Sequence, residues 1–481
     1  MIRKVLKIGL IGLIVVYLTI TVYHRYKPLP QGLALRGDIY SLSSNDVSFL
    51  ADITGQENGE RIINQEIFDA IFRLIEEAEH FIILDFFLYN DFQSSQSNLH
   101  HSLSDDLTQA LIRKKVSNPN VNIVFISDPI NNAYGGAIFS GFEVLRQAGI
   151  QVVITDLTKL RDSNLLYSGL WRLFIKPWGN NDQGGLAPHP LASGPKVTIR
   201  SWLNLFNFKA NHRKLIITDN QGEVVSLITS ANPHDGSDAH NNVALLVRGG
   251  PWPDLLSSEQ AILNFSDSEI NLLSFVPDLI RSSLDDGPVK AQVLTESAIA
   301  DDLKEELSKL KEGDKVQIAM FYFSNRQMIE ALKVAAGRGV KIKVLLDPNK
   351  DAFGYTKSGI PNRQVAAILN QVSNIDVRWF KTDGEQFHTK MVNLIKPNQH
   401  ILYLGSANLT KRNIDGFNLE TDLKVWGDQV EALKDATDYF NQLWDNQGDR
   451  LYSLPFYHYE DQSKVKMVIY PILEFAGWST F

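Results

Sequence analysis

The stretch His212-Arg-Lys-Leu-Ile-Ile-Thr-Asp219-Asn-Gln-Gly222-Glu-Val-Val-Ser-Leu-Ile-Thr-Ser230-Ala-Asn232 decides the fold, because its outline returns at His388-Thr-Lys390 through Gly405-Ser406-Ala-Asn408. In each copy an Asn stands twenty residues beyond the His. Lys214 to Thr218 reads as a strand, Asp219-Asn220-Gln221-Gly222 as its turn, and Val224 to Ile228 as the returning strand. Lys390 to Ile395 and Ile401 to Leu404 form the equivalent hairpin. His and Lys at i and i+2 share one strand face, and so do Ser and Asn on the return. Each copy thus offers one imidazole, one ammonium and two neutral hydrogen-bonding groups to a common point.

A single His-x-Lys is ordinarily a satisfied surface pair. Two copies, each followed by Ser-x-Asn, suit the handling of a phosphoryl group. A phosphodiester resists attack because its anionic oxygens repel a nucleophile. Lys214, Lys390, Ser230, Asn232, Ser406 and Asn408 around those oxygens oppose the repulsion and stabilise a five-coordinate transition state. One imidazole then attacks phosphorus and the other protonates the departing alcohol. This chemistry calls for no cofactor and no metal. His234, Asp235, Asp238 and His240 read as turn and substrate contacts, and Asp85, Asp128 and Asp347 as structural hydrogen-bonding groups at strand ends.

Working outward, the pattern predicts a helix over 64–78, a central strand over 81–89, helices near 107–114 and 142–147, and strands at 121–126 and 151–154. A second round follows with a strand at 316–323, a helix at 327–336 and a strand at 340–346. Asp128-Pro-Ile-Asn-Asn-Ala133-Tyr-Gly135 and Asp347-Pro-Asn-Lys-Asp-Ala352-Phe-Gly354 end corresponding strands, so duplication of an α/β unit is the economical reading. The expected fold class is α/β: two duplicated domains, 36–280 and 290–481, each a mostly parallel mixed sheet flanked by helices. The stretch 176–194, rich in Gly, Pro and Asn, reads as an insertion or lid. Val465 to Phe481 is expected to cover the core of the second half, and Trp171, Trp379 and Trp478 to be core or interface aromatics.

Ile8 to Tyr23 is uncharged and rich in Leu, Ile and Val, with Arg3, Lys4 and Lys7 before it and Arg25 and Lys27 after it. With Val5 and Leu6 it is just long enough to cross about 30 Å of hydrocarbon. No small-residue cleavage site follows, so residues 1–30 read as one transmembrane helix and a stiff tether. The slight excess of positive charge before the helix places the large region outside the cytoplasm, at the cell membrane. The 481 residues are 44% apolar with a net charge of -8, which suits a folded chain and disfavours nucleic acid as a partner. The absence of Cys removes disulfides, thiolate metal sites and a Cys nucleophile.

Phe206-Asn-Phe-Lys-Ala-Asn211-His212-Arg-Lys214 and Gly405-Ser-Ala-Asn-Leu-Thr-Lys-Arg412-Asn-Ile-Asp-Gly-Phe-Asn418-Leu-Glu420 resemble the opening and closing motifs of the phospholipase D superfamily, over about 60–445. That family includes bacterial cardiolipin synthases and phosphatidyltransferases. The resemblance implies a phosphohistidine intermediate, an anionic phospholipid substrate in a membrane, and water, glycerol or phosphatidylglycerol as acceptor. A nuclease and a catalytically silent membrane scaffold are the alternatives. It also implies that Asp219 supports a local turn, a role for which Ile395 stands in the second copy. Glu420, 32 residues after His388, falls where the family places the acid that holds the imidazole, whereas Ala244 stands 32 after His212. On that count His388 is expected to be the nucleophile and His212 the general acid, then base.

Overall fold

The structure is a computed structural model that describes residues 1–92, 102–191, 194–278, 287–352, 355–448 and 450–478. Seven strands of the first half are β1 (Val47–Glu57), β2 (Phe81–Phe86), β3 (Asn122–Ser127), β4 (Gln151–Ile154), β5 (Lys214–Asn220), β6 (Glu223–Thr229) and β7 (Asn242–Arg248). Seven of the second are β8 (Val289–Thr295), β9 (Lys315–Met320), β10 (Lys341–Leu346), β11 (Ile375–Phe380), β12 (Lys390–Lys396), β13 (Gln399–Gly405) and β14 (Thr421–Gly427). They lie in the orders β1-β7-β6-β5-β2-β3-β4 and β8-β14-β13-β12-β9-β10-β11, the same path walked twice.

The sheets are mostly antiparallel, which corrects the expected mostly parallel arrangement. Only β2–β3, β3–β4, β9–β10 and β10–β11 pair in parallel; the other described ladders are antiparallel. The misreading has a physical cause. Continuous apolar runs mark strands covered on both faces, which parallel sheets require but antiparallel ones can also have. Here Ile216 and Leu227 face an outer core beneath helix Ile67–Glu77, while Leu215, Ile217 and Ile228 face an inner core shared with Met391, Leu402 and Leu423 of the other sheet. Helices Trp252–Phe265 and Glu431–Asp445 help fill that inner layer. Each half also lends a short edge strand to the other's sheet: Tyr40–Leu42 pairs with β8, and Arg450–Leu451 with β1.

The N-terminal helix α1 (Ile2–Tyr26) has a mean hydropathy of 2.4 in its most apolar window and is exposed along most of its length. Among the described residues it is the one helix long and apolar enough to cross a membrane. Its last turns dock on the globular part through Arg25, which donates to the carbonyls of Asp162 and Ser163 at 3.1 and 2.7 Å and lies over the Phe417 ring. Trp171 and Trp379 are buried as expected. Trp478 is 40% exposed, and the C-terminal stretch forms helix Lys464–Ala476, which adds Tyr470 to the core of the second half as expected while most of its apolar residues face outward.

Candidate active site

Each His lies just ahead of the strand that begins with its Lys, in a segment drawn across to the opposite half. Asn211 bridges Leu419 and Asn241 bridges Phe387; His212 N donates to Leu419 O at 2.9 Å and Asn241 N to Gln386 O at 3.0 Å. Asp128 and Asp347 pin these segments from below. Asp128 accepts from the amides of Asn211 (2.7 Å) and Ile130 (2.7 Å), and Asp347 from those of Phe387 (2.8 Å) and Asn349 (2.6 Å).

The two sets are near copies. Lys214 Nζ donates to the His212 carbonyl at 2.5 Å and Lys390 Nζ to the His388 carbonyl at 2.6 Å. The Phe87 ring lies 4.9 Å from His212 and the Phe321 ring 4.9 Å from His388, with each lysine also about a ring's breadth away. Asn232 accepts from Leu88 N at 3.2 Å and Asn408 from Tyr322 N at 3.1 Å, which fixes both amides at the strand ends. The serine hydroxyls sit one step further back: Ser406 donates to Glu420 at 2.5 Å and Ser230 to Asn242 at 3.1 Å.

The copies differ behind the imidazoles. Glu420 Oε2 meets Nδ1 of His212 at 3.0 Å, and Asn242 Oδ1 meets Nδ1 of His388 at 3.1 Å. The expected pairing of Glu420 with His388 is therefore wrong, and so is the choice of Ala244 as the position that faces His212. Glu420 follows Leu419, which bridges to the His212 segment; Asn242 follows Asn241, which bridges to the His388 segment. Chain offsets cannot show a pairing that crosses between halves. Asn242 also accepts from its serine and opens its strand, as Glu420 does immediately before β14, so it is the counterpart of Glu420. Asn242 Nδ2 donates to His240 O at 3.2 Å, which orients Oδ1 toward His388. Both imidazoles consequently carry hydrogen on Nδ1 and present Nε2 to the cleft.

Burial governs the charges. It holds both imidazoles well below their ordinary range, reinforced at His212 by Lys214, Lys390 and Arg412, and at His388 by Lys390, His240 and Lys214. Burial also brings Lys214 down to about 7 and Lys390 well below its usual value, the latter helped by Lys214. Glu420 is pushed up to about 7 by burial, against the pull of Lys214. Two closely placed ammonium groups and two imidazoles make a cleft whose positive charge an anion would restore.

The remaining residues fall outside this cleft. Asp219 accepts from the amides of His80 (2.8 Å) and Phe81 (3.0 Å) and meets the His80 ring at 2.6 Å, at the end of β5 remote from His212. With Glu79 it forms the one cluster of metal-ligating type found among the described residues. His234 is held by Ser237 and the Phe92 carbonyl, and Asp235 by Ser104. Sequence reasoning missed Asn242, Arg412 and the two Phe rings; Asn242 stands 12 residues after Ser230 where Glu420 stands 14 after Ser406, so no common offset points to it. His240, read as a turn or substrate contact, lies 6.0 Å from the His388 ring.

Residues 303–444 match the family model described as "Cardiolipin synthase, PLD-like domain". The whole fold is similar to phosphatidylserine synthase of Haemophilus influenzae Rd KW20, with a TM-score of 0.57 at 10% identity, covering 94% of this chain and 98% of that one. Lesser likenesses are to polyphosphate kinase of Porphyromonas gingivalis (TM-score 0.45, 12% identity, 89% and 52% covered) and to the phospholipase D family member Nuc of Salmonella typhimurium (0.25, 19%, 32% and 95%). At such identities the likeness concerns fold alone. No curated protein sequence matches the chain.

Proposed function

We propose that this chain is a phospholipase D-like enzyme, a membrane-anchored phosphodiesterase or phosphatidyltransferase that acts on an anionic phospholipid through a phosphohistidine at His212. The observation that carries the reading is the unequal backing of two otherwise matched imidazoles. Nε2 of His212 attacks phosphorus, the P–O bond to the alcohol breaks, and the positive charge that builds on the ring is opposed by Glu420 at Nδ1. This reverses the role expected from chain offsets while keeping the reasoning behind it. Protonated His388 delivers its Nε2 proton to the departing alcohol. In the return step neutral His388 takes the proton of water, glycerol or phosphatidylglycerol as that oxygen attacks phosphorus and the P–N bond breaks. Lys214 and Lys390 oppose charge on the equatorial oxygens, with Asn232 and Asn408 completing the cradle.

α1 holds the cleft beside lipid headgroups, with the globular part outside the cytoplasm. The test incubates the detergent-solubilised full chain with phosphatidylglycerol and resolves the products by mass. Cardiolipin indicates transfer and phosphatidic acid hydrolysis. Acid-free trapping and peptide mapping should place covalent phosphorus on His212. Phosphorus on His388, or no lipid product with either acceptor, would remove this reading.

A further inference from the structure

Helix Lys464–Ala476 is built inside out. Tyr470 and Glu474 point inward, where Tyr470 donates to the Ser324 carbonyl at 2.6 Å and Glu474 accepts from Lys411 N at 2.9 Å. Val465, Val468, Ile469, Ile472 and Phe475 face outward and are 40% to 66% exposed. They recur at i, i+3, i+4, i+7 and i+10, one continuous stripe. A soluble surface does not ordinarily present such a stripe, and one of this kind marks an interaction face.

The place of this helix relative to α1 says what covers it. Gly477, just past its end, packs so closely on Ser163 that a Cβ would lie 2.9 Å from the Ser163 carbonyl oxygen. The same carbonyl accepts from Arg25 at the end of α1. The two helices therefore end at one level of the molecule. Val5 to Tyr23 rises about 28 Å at ~1.5 Å per residue, barely the thickness of hydrocarbon. Yet its later part already lies beside the globular region: Tyr17 donates to the Leu166 carbonyl at 3.2 Å, and a Cβ at Gly169 would meet Thr21. Lodging the whole apolar run of α1 in a bilayer must bring the lipid surface up to Leu166 and helix Ser168–Phe174, whose Leu170 and Phe174 are exposed.

We propose that the outward face of helix Lys464–Ala476 lies in the headgroup and upper acyl region of the bilayer that α1 crosses, so that lipid is its partner. Lys411, 5.1 Å from the Phe475 ring, stands at the edge of the stripe where an anionic headgroup would meet it. From there side-chain contacts lead toward the cleft. Trp478 packs on Phe208, Phe208 lies against Arg412, and Arg412 acts on His212. A lipid headgroup drawn from this surface enters the site with its acyl chains still in the membrane. The proposal rests on α1 as a membrane anchor but not on the reaction.

Because the chain has no Cys, single cysteines report position directly. Ile472→Cys, Val468→Cys, Leu13→Cys in α1 and Val334→Cys on the exposed side of helix Arg326–Gly337 each receive an environment-sensitive dye. The full chain is then placed in phosphatidylglycerol–phosphatidylcholine vesicles with nitroxide lipids of known depth. The expected result is a blue shift and loss of emission with shallow nitroxides at 468 and 472, with deep ones at 13, and neither at 334. Dye at 472 that behaves like dye at 334 while dye at 13 is quenched overturns the docking surface and leaves the anchor. Unquenched dye at 13 overturns both. A blue shift at 472 that persists in detergent without nitroxide quenching assigns the face to a second copy of the chain instead, and also overturns the proposal.

Discussion

Replacing Asn242 by Asp separates the two histidines by their response to pH. The new carboxylate would take the place of an oxygen that is 3.1 Å from Nδ1 of His388. An opposite charge at such range raises an imidazole's pKa by about 1–3 units, or ~1.4–4 kcal/mol of preference for the protonated ring. The gain should fall near the lower end, about 1 unit, because the second carboxylate oxygen would face the His240 carbonyl where the Asn amide now donates. If His388 is the general acid, its proton is required for the first step and activity is lost as pH rises through its pKa. Raising that pKa moves the alkaline limb of kcat/KM upward by about 1 unit, measured with a short-chain phosphatidylglycerol below its micelle concentration. If His388 is instead the nucleophile, its proton is inhibitory, and the acidic limb moves upward while the alkaline limb stays. Movement of the acidic limb alone would refute the assignment of His212 as nucleophile.

Glu420→Gln should retain the fold and lower kcat by up to ~10⁴-fold, since the ring of His212 keeps a hydrogen-bonding partner but loses the opposing charge; rates and far-ultraviolet circular dichroism check both halves of the statement. Arg213 is fully buried between Glu259 (2.8 Å) and Glu296 (2.7 Å), so Arg213→Met leaves two carboxylates without their cation and should cost ~3–5 kcal/mol in thermal or denaturant unfolding. Removal of residues 1–16 should leave the melting temperature unchanged in detergent, whereas removal of 1–26 should lower it. The second cut deletes the Arg25 bonds to Asp162 and Ser163, each worth ~1.5–3 kcal/mol.

What could be read from the chain was whatever repeats locally. The two hairpins lie where the His-x-Lys and Ser-x-Asn spacings put them, at β5–β6 and β12–β13, and the strand at 151–154 has its expected bounds. Strands β1, β7, β8, β11 and β14 were missed. β8 and β11 carry charged or amide side chains, as at Lys290, Gln292, Asp376 and Arg378, which break up the apolar run. Direction was misjudged because burial on both faces, rather than parallel pairing, makes a strand continuously apolar. The apolar stripe of the C-terminal helix was misread for the converse reason, although Tyr470 does join the core: such a stripe says that a face is covered, without saying by what.

The partner of each imidazole was illegible for a deeper reason, and it bears on how a duplicated site acquires direction. The loop from Ser230 to Asn242 is two residues shorter than that from Ser406 to Glu420, so equal offsets from the histidines land on Ala244, within β7, instead of its first residue. Each orienting group then serves the other half's His, across the bridges of Asn211 with Leu419 and Asn241 with Phe387. Two identical units joined this way would hold two equivalent imidazoles, either of which could attack. A carboxylate at one position and an amide at the other removes that equivalence. In the proposed reaction Glu420 would oppose a full positive charge as the P–N bond forms, while Asn242 would fix the tautomer of His388 and leave its proton easily given away. A carboxylate against an amide, on side chains that also differ by one methylene, would thus divide bond making from proton transfer within a site whose lysines, asparagines and phenylalanines remain matched.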